Sequence, residues 1–228
     1  MIANNYSPSI ILYKSSMSKY TCPQIDKSAL IIIDTQNDFT LDGAPSQIMG
    51  TLDILPNLSA LLKLYRENQL TIIHVIRLYL QDGSNVDICR RQSVEEGNSS
   101  VLPKSYGAEI VDVLKPDMKL KLDDKMLLSG EFQQIGENEF VAYKPRWGAF
   151  YKTALEEFLK HKGINTIVFA GCNYPNCPRT SIYEASERDF RIILAKDAMS
   201  QLYPKGEKEM ENIGVNVLHV NDISALLS

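Results

Sequence analysis

The sequence predicts an α/β fold, a three-layer α/β/α sandwich around a mostly parallel sheet. Three observations carry this expectation. Short apolar, β-branched runs recur along the chain: ALIII (29–33), LTIIHVI (70–76), TIVFA (166–170), RIILA (191–195) and VNVLHV (215–220). They are continuous rather than alternating, as strands buried on both faces are. Stretches of helix length separate them, so successive strands are expected to run parallel, with crossover helices covering the sheet.

The connecting segments follow in order. Leu58, Leu61, Leu62 and Tyr65 recur at helical spacing behind Pro56, which suits a first-turn position. The stretch 80–104 is polar and rich in Gly, Ser and Asn, and reads as a long excursion of the kind that forms lids or interfaces. Order is expected to resume near 106–114. A second helix is predicted over 149–162, with Phe150, Ala154, Leu155, Phe158 and Leu159 on one face and Gly163 as its stop. Residues 1–27 read as an N-terminal extension and 28–228 as one domain. Neither an internal repeat nor a low-complexity tract is present.

The composition suits a single core, with 228 residues, 44% hydrophobic and 23% charged. A net charge of −4 without a dense Lys/Arg stripe excludes the electrostatic footprint of a nucleic-acid binder and leaves a small molecule as the expected partner. No apolar run approaches the roughly 20 residues that span a bilayer, and the opening segment lacks a basic start followed by a long apolar stretch. No membrane partner and a cytoplasmic location are therefore expected. The four cysteines, Cys22, Cys89, Cys172 and Cys177, are too few and too scattered for a disulfide framework and are expected to be reduced.

Open parallel sheets bind ligands outside the carboxyl ends of their strands, which directs attention to the residue after each run. Asp34 follows the first; a carboxylate there is costly unless paired, so it caps the turn or serves chemistry. After 166–170 come Gly171, Cys172, Asn173, Tyr174, Pro175, Asn176, Cys177 and Pro178. Pro178 suits a first helical turn, setting Cys177 at the helix cap, where the N-terminal dipole lowers a thiol's pKa. Taken alone, an inert buried cysteine is the commoner outcome. Lys144 closes an apolar stretch beginning at Phe140 and by itself reads as a solvated surface residue. Together the three put a carboxylate, an ammonium and a thiol at one sheet edge, the parts of a base, a charge stabiliser and a nucleophile.

ALIIIDTQNDF, YKPRWGAF and GCNYPNCPRTSIYEASERDF, in that order and spacing, resemble the three signature segments of the isochorismatase-like cysteine hydrolases. That family includes nicotinamidases and N-carbamoylsarcosine amidohydrolase, and the resemblance covers about residues 28–200. It implies the isochorismatase-like hydrolase fold, with Asp34 as general base, Lys144 as its charged partner and Cys177 as nucleophile. The implied reaction cleaves a carbon–nitrogen bond of a small amide, ureide or carbamoyl compound through a thioester. The backbone N–H groups of Asn173 and Cys177 would form the oxyanion hole. A non-proline cis peptide is implied between Cys172 and Asn173, with Gly171 giving room for the turn; Tyr174–Pro175 is the competing location, since an X–Pro bond goes cis far more cheaply. A homo-oligomer is also implied, with 80–104 as a candidate contact.

Departures from the family bear on substrate and cofactor. Nicotinamidases carry a metal site of one Asp and several His after the second strand; here that stretch reads Arg77, Leu78, Tyr79, Leu80, Gln81, Asp82, Gly83. His74, His161 and His219 lie in the second strand, near a helix end and in the last strand, and read as structural. Neither a metal nor another cofactor is expected, nor is nicotinamidase activity. Isochorismatases proper lack the cysteine, so Cys177 points to carbon–nitrogen cleavage. Phe39, Trp147 and Tyr174 are candidate pocket walls, and Arg77 and Arg179 candidates for a substrate carboxylate, with packing and surface pairing as the alternatives. A phosphatase of the haloacid dehalogenase type would need an acid where Gln36 stands. Cys172 and Cys177 do not have redox or zinc spacing. A silent binding protein that kept the fold is the rival from another class.

Overall fold

The apolar runs become strands because they are covered on both sides. In the computed structural model, which describes residues 18–227, β1 (Ser28–Ile33) is buried throughout. Leu30 and Ile32 enter one core cluster while Ala29, Ile31 and Ile33 enter the other. Alternate side chains of a strand point to opposite faces, so a run with two apolar faces must be sandwiched. Pairing with β1 are β2 (Thr71–Ile76) on one side and β5 (Thr166–Gly171) on the other, both parallel. A two-residue antiparallel β3 (Gln133–Gln134), β4 (Glu139–Tyr143), β6 (Arg191–Met199) and β7 (Asn216–Leu218) complete seven strands in the order β3-β4-β2-β1-β5-β6-β7.

Between the strands run α1 (Asn37–Thr40), α2 (Leu55–Glu67), α3 (Ile88–Glu95), α4 (Asp124–Leu128), α5 (Leu155–His161), α6 (Cys177–Ser186), α7 (Pro204–Asn212) and α8 (Val220–Leu227). Leu58, Leu61, Leu62 and Tyr65 of α2 share the first core cluster with Ile223 and Leu226 of α8. Leu155 and Leu159 of α5, Ile182 and Ala185 of α6 and Met210 of α7 share the second. Helices thus cover both faces, and the three-layer sandwich with a mostly parallel sheet is the observed architecture. The chain moves outward from β1 to β2 and β4, then returns to lay β5 against the opposite side of β1. This makes the carboxyl end of β1 a topological switch point.

Several boundaries differ from the sequence reading. The helix predicted over 149–162 begins only at Leu155, and Ala154 is exposed. The preceding turn is pinned to α6 instead: Ala149 N–H donates to Ser181 Oγ (3.0 Å) and Phe150 N–H to Glu184 Oε2 (2.9 Å). The run at 215–220 is a strand only over Asn216–Leu218; His219 falls after it, and Val220 opens α8 with its N–H on Asp197 Oδ1 (2.9 Å). The run at 191–195 extends to Met199. The excursion 80–104 contains α3 and is held at both ends. Asp87 pairs with Arg77, and Asp38 Oδ2 accepts the Val101 N–H at 2.6 Å. Of the expected extension, residues 1–17 lie outside the described residues, while Gln24 bonds Thr166 and Asn165 at the amino end of β5. No helix among the described residues is long and apolar enough to cross a membrane.

Candidate active site

Parallel strands bring their carboxyl ends to one edge, and Asp34, Lys144 and the loop 171–177 all emerge there. Asp34 follows β1 at the switch point, its N–H on Val75 O (2.9 Å) and its φ at 54°, a left-handed conformation that Asp tolerates better than most residues. Lys144 extends β4 onto β2 through its N–H to Ile76 O (3.0 Å), and its side chain is fully buried. Its Nζ donates to Asp34 Oδ2 at 2.8 Å and reaches Arg146 O at 3.5 Å. A buried ammonium is tolerable only when paired in this way. Asp34 Oδ1 is buried with no hydrogen bond of acceptable geometry.

The loop after β5 is shaped by close backbone contact. Gly171 has φ 110°, and a Cβ there would meet Ile33 O at 2.3 Å, a backbone atom that cannot move aside. Only glycine fits. The Cys172 N–H donates to Ile33 O (2.9 Å) and its Sγ to Asp34 O (3.0 Å), tying the loop to the end of β1. The cis peptide falls at Cys172–Asn173, not at Tyr174–Pro175. Asn176, rather than Cys177 as the sequence suggests, holds the N-cap position of α6, without a side-chain cap hydrogen bond; Cys177 is the first helical residue and Pro178 lies in the first turn.

Cys177 is 5% exposed and its thiol is pushed up to about 11. Burial is the main cause, the negative charge of the nearby Asp34 carboxylate adds to it, and Lys144 and Arg77 oppose it. Sequence reasoning expected the helix start to favour thiolate; here burial and the neighbouring carboxylate outweigh that, and the group rests as a thiol. A weakly acidic thiol beside a carboxylate with an unused oxygen is a proton donor facing its acceptor.

A cavity of about 520 Å³ opens at this loop, lined among others by Asn173, Asn176, Phe39, Tyr79 and Arg90. Phe39 stands in the wall of this cavity. Trp147 is half-buried beneath the Arg90 guanidinium, 5.4 Å from its ring centre, and packs on the second core cluster. Tyr174 is placed otherwise: it is fully buried, its hydroxyl donates to Gly206 O (3.0 Å), and its ring fills the space a Cβ at Gly206 would take. Arg77 pairs with Asp87 and donates to Tyr79 Oη (3.2 Å) and Lys144 O (3.3 Å). Arg179 pairs with Glu209 (3.1 Å) and Tyr203 Oη (3.1 Å). Both arginines are thus committed to partners within the protein. Arg90 was not singled out in the sequence. It lies in a polar stretch without periodicity, and only the fold-back of α3 brings it to the cavity.

The donor set does not fit a metal. Among the described residues no group of three or more His, Cys, Asp or Glu is disposed to hold one, and Arg77, Leu78 and Tyr79 occupy the segment after β2. His74 Nε2 lies 2.7 Å from Glu139 Oε1, at the other end of the sheet.

Fold and site together define a doubly wound α/β protein with a carboxylate, an ammonium and a thiol gathered beside a cavity at the switch point. The chain belongs to the isochorismatase family: the Isochorismatase domain model matches residues 28–221. It is 30% identical to a probable inactive nicotinamidase of Arabidopsis thaliana, over 88% of this chain and 96% of that protein. It is 26% identical to a maleamate amidohydrolase of Pseudomonas putida, over 76% of this chain and 72% of that one. An isochorismatase family protein from Desulfovibrio vulgaris superposes with a TM-score of 0.75 at 29% identity, covering 88% of this chain and 98% of that one.

Proposed function

We propose that this chain is a cysteine hydrolase that cleaves the carbon–nitrogen bond of a small amide, ureide or carbamoyl compound. The observation that carries the reading is the pairing of a buried, protonated Cys177 with Asp34, whose one oxygen is held by Lys144 while the other is unused. Family membership and the amidohydrolase among the relatives support the class of bond. In the first step the Cys177 proton passes to Asp34 as Sγ bonds the carbonyl carbon, and the carbonyl electron pair moves to oxygen. The backbone N–H groups of Asn173 and Cys177 receive that oxyanion, at the start of α6 where the helix dipole favours negative charge. Lys144 keeps Asp34 in place and balances its charge. As the tetrahedral carbon collapses, Asp34 returns the proton to the leaving nitrogen, the carbon–nitrogen bond breaks and ammonia or an amine departs. Water then gives a proton to Asp34 and attacks the thioester carbon; the carbon–sulfur bond breaks, and the sulfur recovers the proton.

A second reading, a binding protein that retains the fold without turnover, is favoured by the probable inactive nicotinamidase among its relatives. An ammonia-release screen over small amides, ureides and carbamoyl amino acids separates the two. Hydrolysis predicts release that Cys177→Ala abolishes. A protein that binds such compounds yet releases nothing from any of them is the second kind.

A further inference from the structure

The cavity at the site carries an electrostatic signature that the hydrolytic reading leaves unused. Its lining residues include no aspartate or glutamate, and Arg90 is the one formally charged group among them. Behind it Asp34 and Lys144 neutralise each other at 2.8 Å, and Cys177 rests as a neutral thiol. Asp87, three residues before Arg90, is paired with Arg77 and acts on Arg90 as a nearby negative charge without an ion pair to it. Among the described residues Arg90 forms no ion pair; the hydrogen bond its guanidinium makes runs from Nη1 to the Tyr79 hydroxyl at 2.7 Å. A guanidinium has five N–H groups in a fork matched to a carboxylate.

Arg90 is nevertheless held in position. Its plane is braced over Trp147, its Nη1 is anchored on Tyr79, and that hydroxyl is fixed in turn by Arg77. It also lies within electrostatic reach of Cys177. A braced cation with spare donors, in a wall otherwise free of charge and beside the nucleophile, is arranged for an anion on the ligand.

Resting on the hydrolytic reading above, the geometry points to Arg90 as the specificity-determining residue and to a substrate that is a carboxylate-bearing amide or ureide. The carboxylate pairs with the Arg90 fork while the carbonyl to be cleaved lies at Cys177. The excursion 80–104 therefore supplies the recognition group, and the strand ends supply the chemistry.

Paired probes that differ in that charge test this: succinamate against succinamide, and N-carbamoylglycine against its amide. The wild-type protein is expected to favour the acid of at least one pair by roughly 30- to 100-fold in kcat/KM, the range for a charge-assisted pair. Arg90→Gln is expected to bring that preference to within about threefold, mainly through KM, and Arg90→Lys to restore part of it. The same contrast is read by calorimetry on Cys177→Ala protein, where binding needs no turnover. If hydrolysis fails but the acid still binds better and loses that advantage with Arg90→Gln, the recognition stands without the chemistry. Equal loss on acid and neutral members overturns the inference. So does wild-type protein that treats them alike, or Cys177→Ala protein that binds no member of any pair. Should Arg90→Gln not fold, the wild-type contrast and Arg90→Lys decide.

Discussion

Glu139 at the amino end of the sheet and Asp34 at its carboxyl end are both nearly fully buried carboxylates beside cationic partners. Their surroundings differ. Glu139 accepts from Arg66 Nε and Nη2, both at 2.8 Å, and has His74 Nε2 at 2.7 Å, so each oxygen is used. Burial alone would raise its pKa, but the hydrogen bonds from His74 and Arg66 outweigh that and hold it at about 2. Asp34 has Lys144 on one oxygen and nothing of good geometry on the other, with a thiol beside it. A saturated carboxylate can only hold structure together. One with an open oxygen next to a weak acid can move a proton.

The largest expected effect falls on the open end. Cys177→Ala should lower turnover by at least about 10⁴-fold, since no other nucleophile stands in its place. Its melting temperature should change little, because the truncation removes few contacts. Steady-state ammonia release and thermal unfolding measured side by side check both halves, and a parallel fall in the two would make Cys177 a packing residue. Lys144→Met should come next. It leaves the Asp34 charge buried and uncompensated, a loss of about 3 kcal/mol in urea unfolding at neutral pH, with activity lost as well. A variant as stable as the wild type would show that the pair is not needed to hold Asp34.

At the saturated end, Glu139→Gln should cost about 1.5–3 kcal/mol while leaving turnover per folded molecule unchanged. The sign of the pH dependence follows from the depressed value. Stability from Glu139 is fully present above the ordinary value of 4.5 and is lost as pH falls through about 2. Chemical denaturation of both proteins between those pH values should show the wild type losing its advantage over the variant as acid is added. A gap that stays constant would place the shift elsewhere. The smallest effect is expected from Cys172→Ala, whose Sγ donates to the Asp34 carbonyl oxygen and has no part in the proposed chemistry. Activity should stay within about threefold, a change of under 1 kcal/mol in barrier. A loss matching that of Cys177→Ala would favour a paired-thiol reading.

How much of this was legible in the sequence depends on how local each cause is. The runs that became β1, β2 and β5 announce themselves because strands covered on both faces need apolar residues at every position. That Asp34, Lys144 and Cys177 come together is legible because a parallel sheet puts its strand ends on one edge, and because the segments around them have a recognisable order. The start of α5 was missed because Ser181 and Glu184, distant in sequence, hold residues 149–150 in a turn. For Tyr174 the sequence leaves wall and packing both open, because nothing local records the gap left for it at Gly206. The acidity of Cys177 was misread for the same reason. Helix position is a local property, whereas burial and the approach of Asp34 are made by the fold. Arg90 was missed because its contact with Tyr79 exists only once α3 folds back over the cavity.

The contrast between the two carboxylates rests on the Cys177 sulfur becoming bonded to substrate carbon, and mass spectrometry of protein quenched in acid during steady-state turnover tests this most directly. The mechanism predicts an acyl group, added as a thioester, that fragmentation assigns to Cys177 and that is absent from Cys177→Ala. An acyl group on Cys172 or another residue, or Cys177→Ala turning over at the wild-type rate, would contradict it.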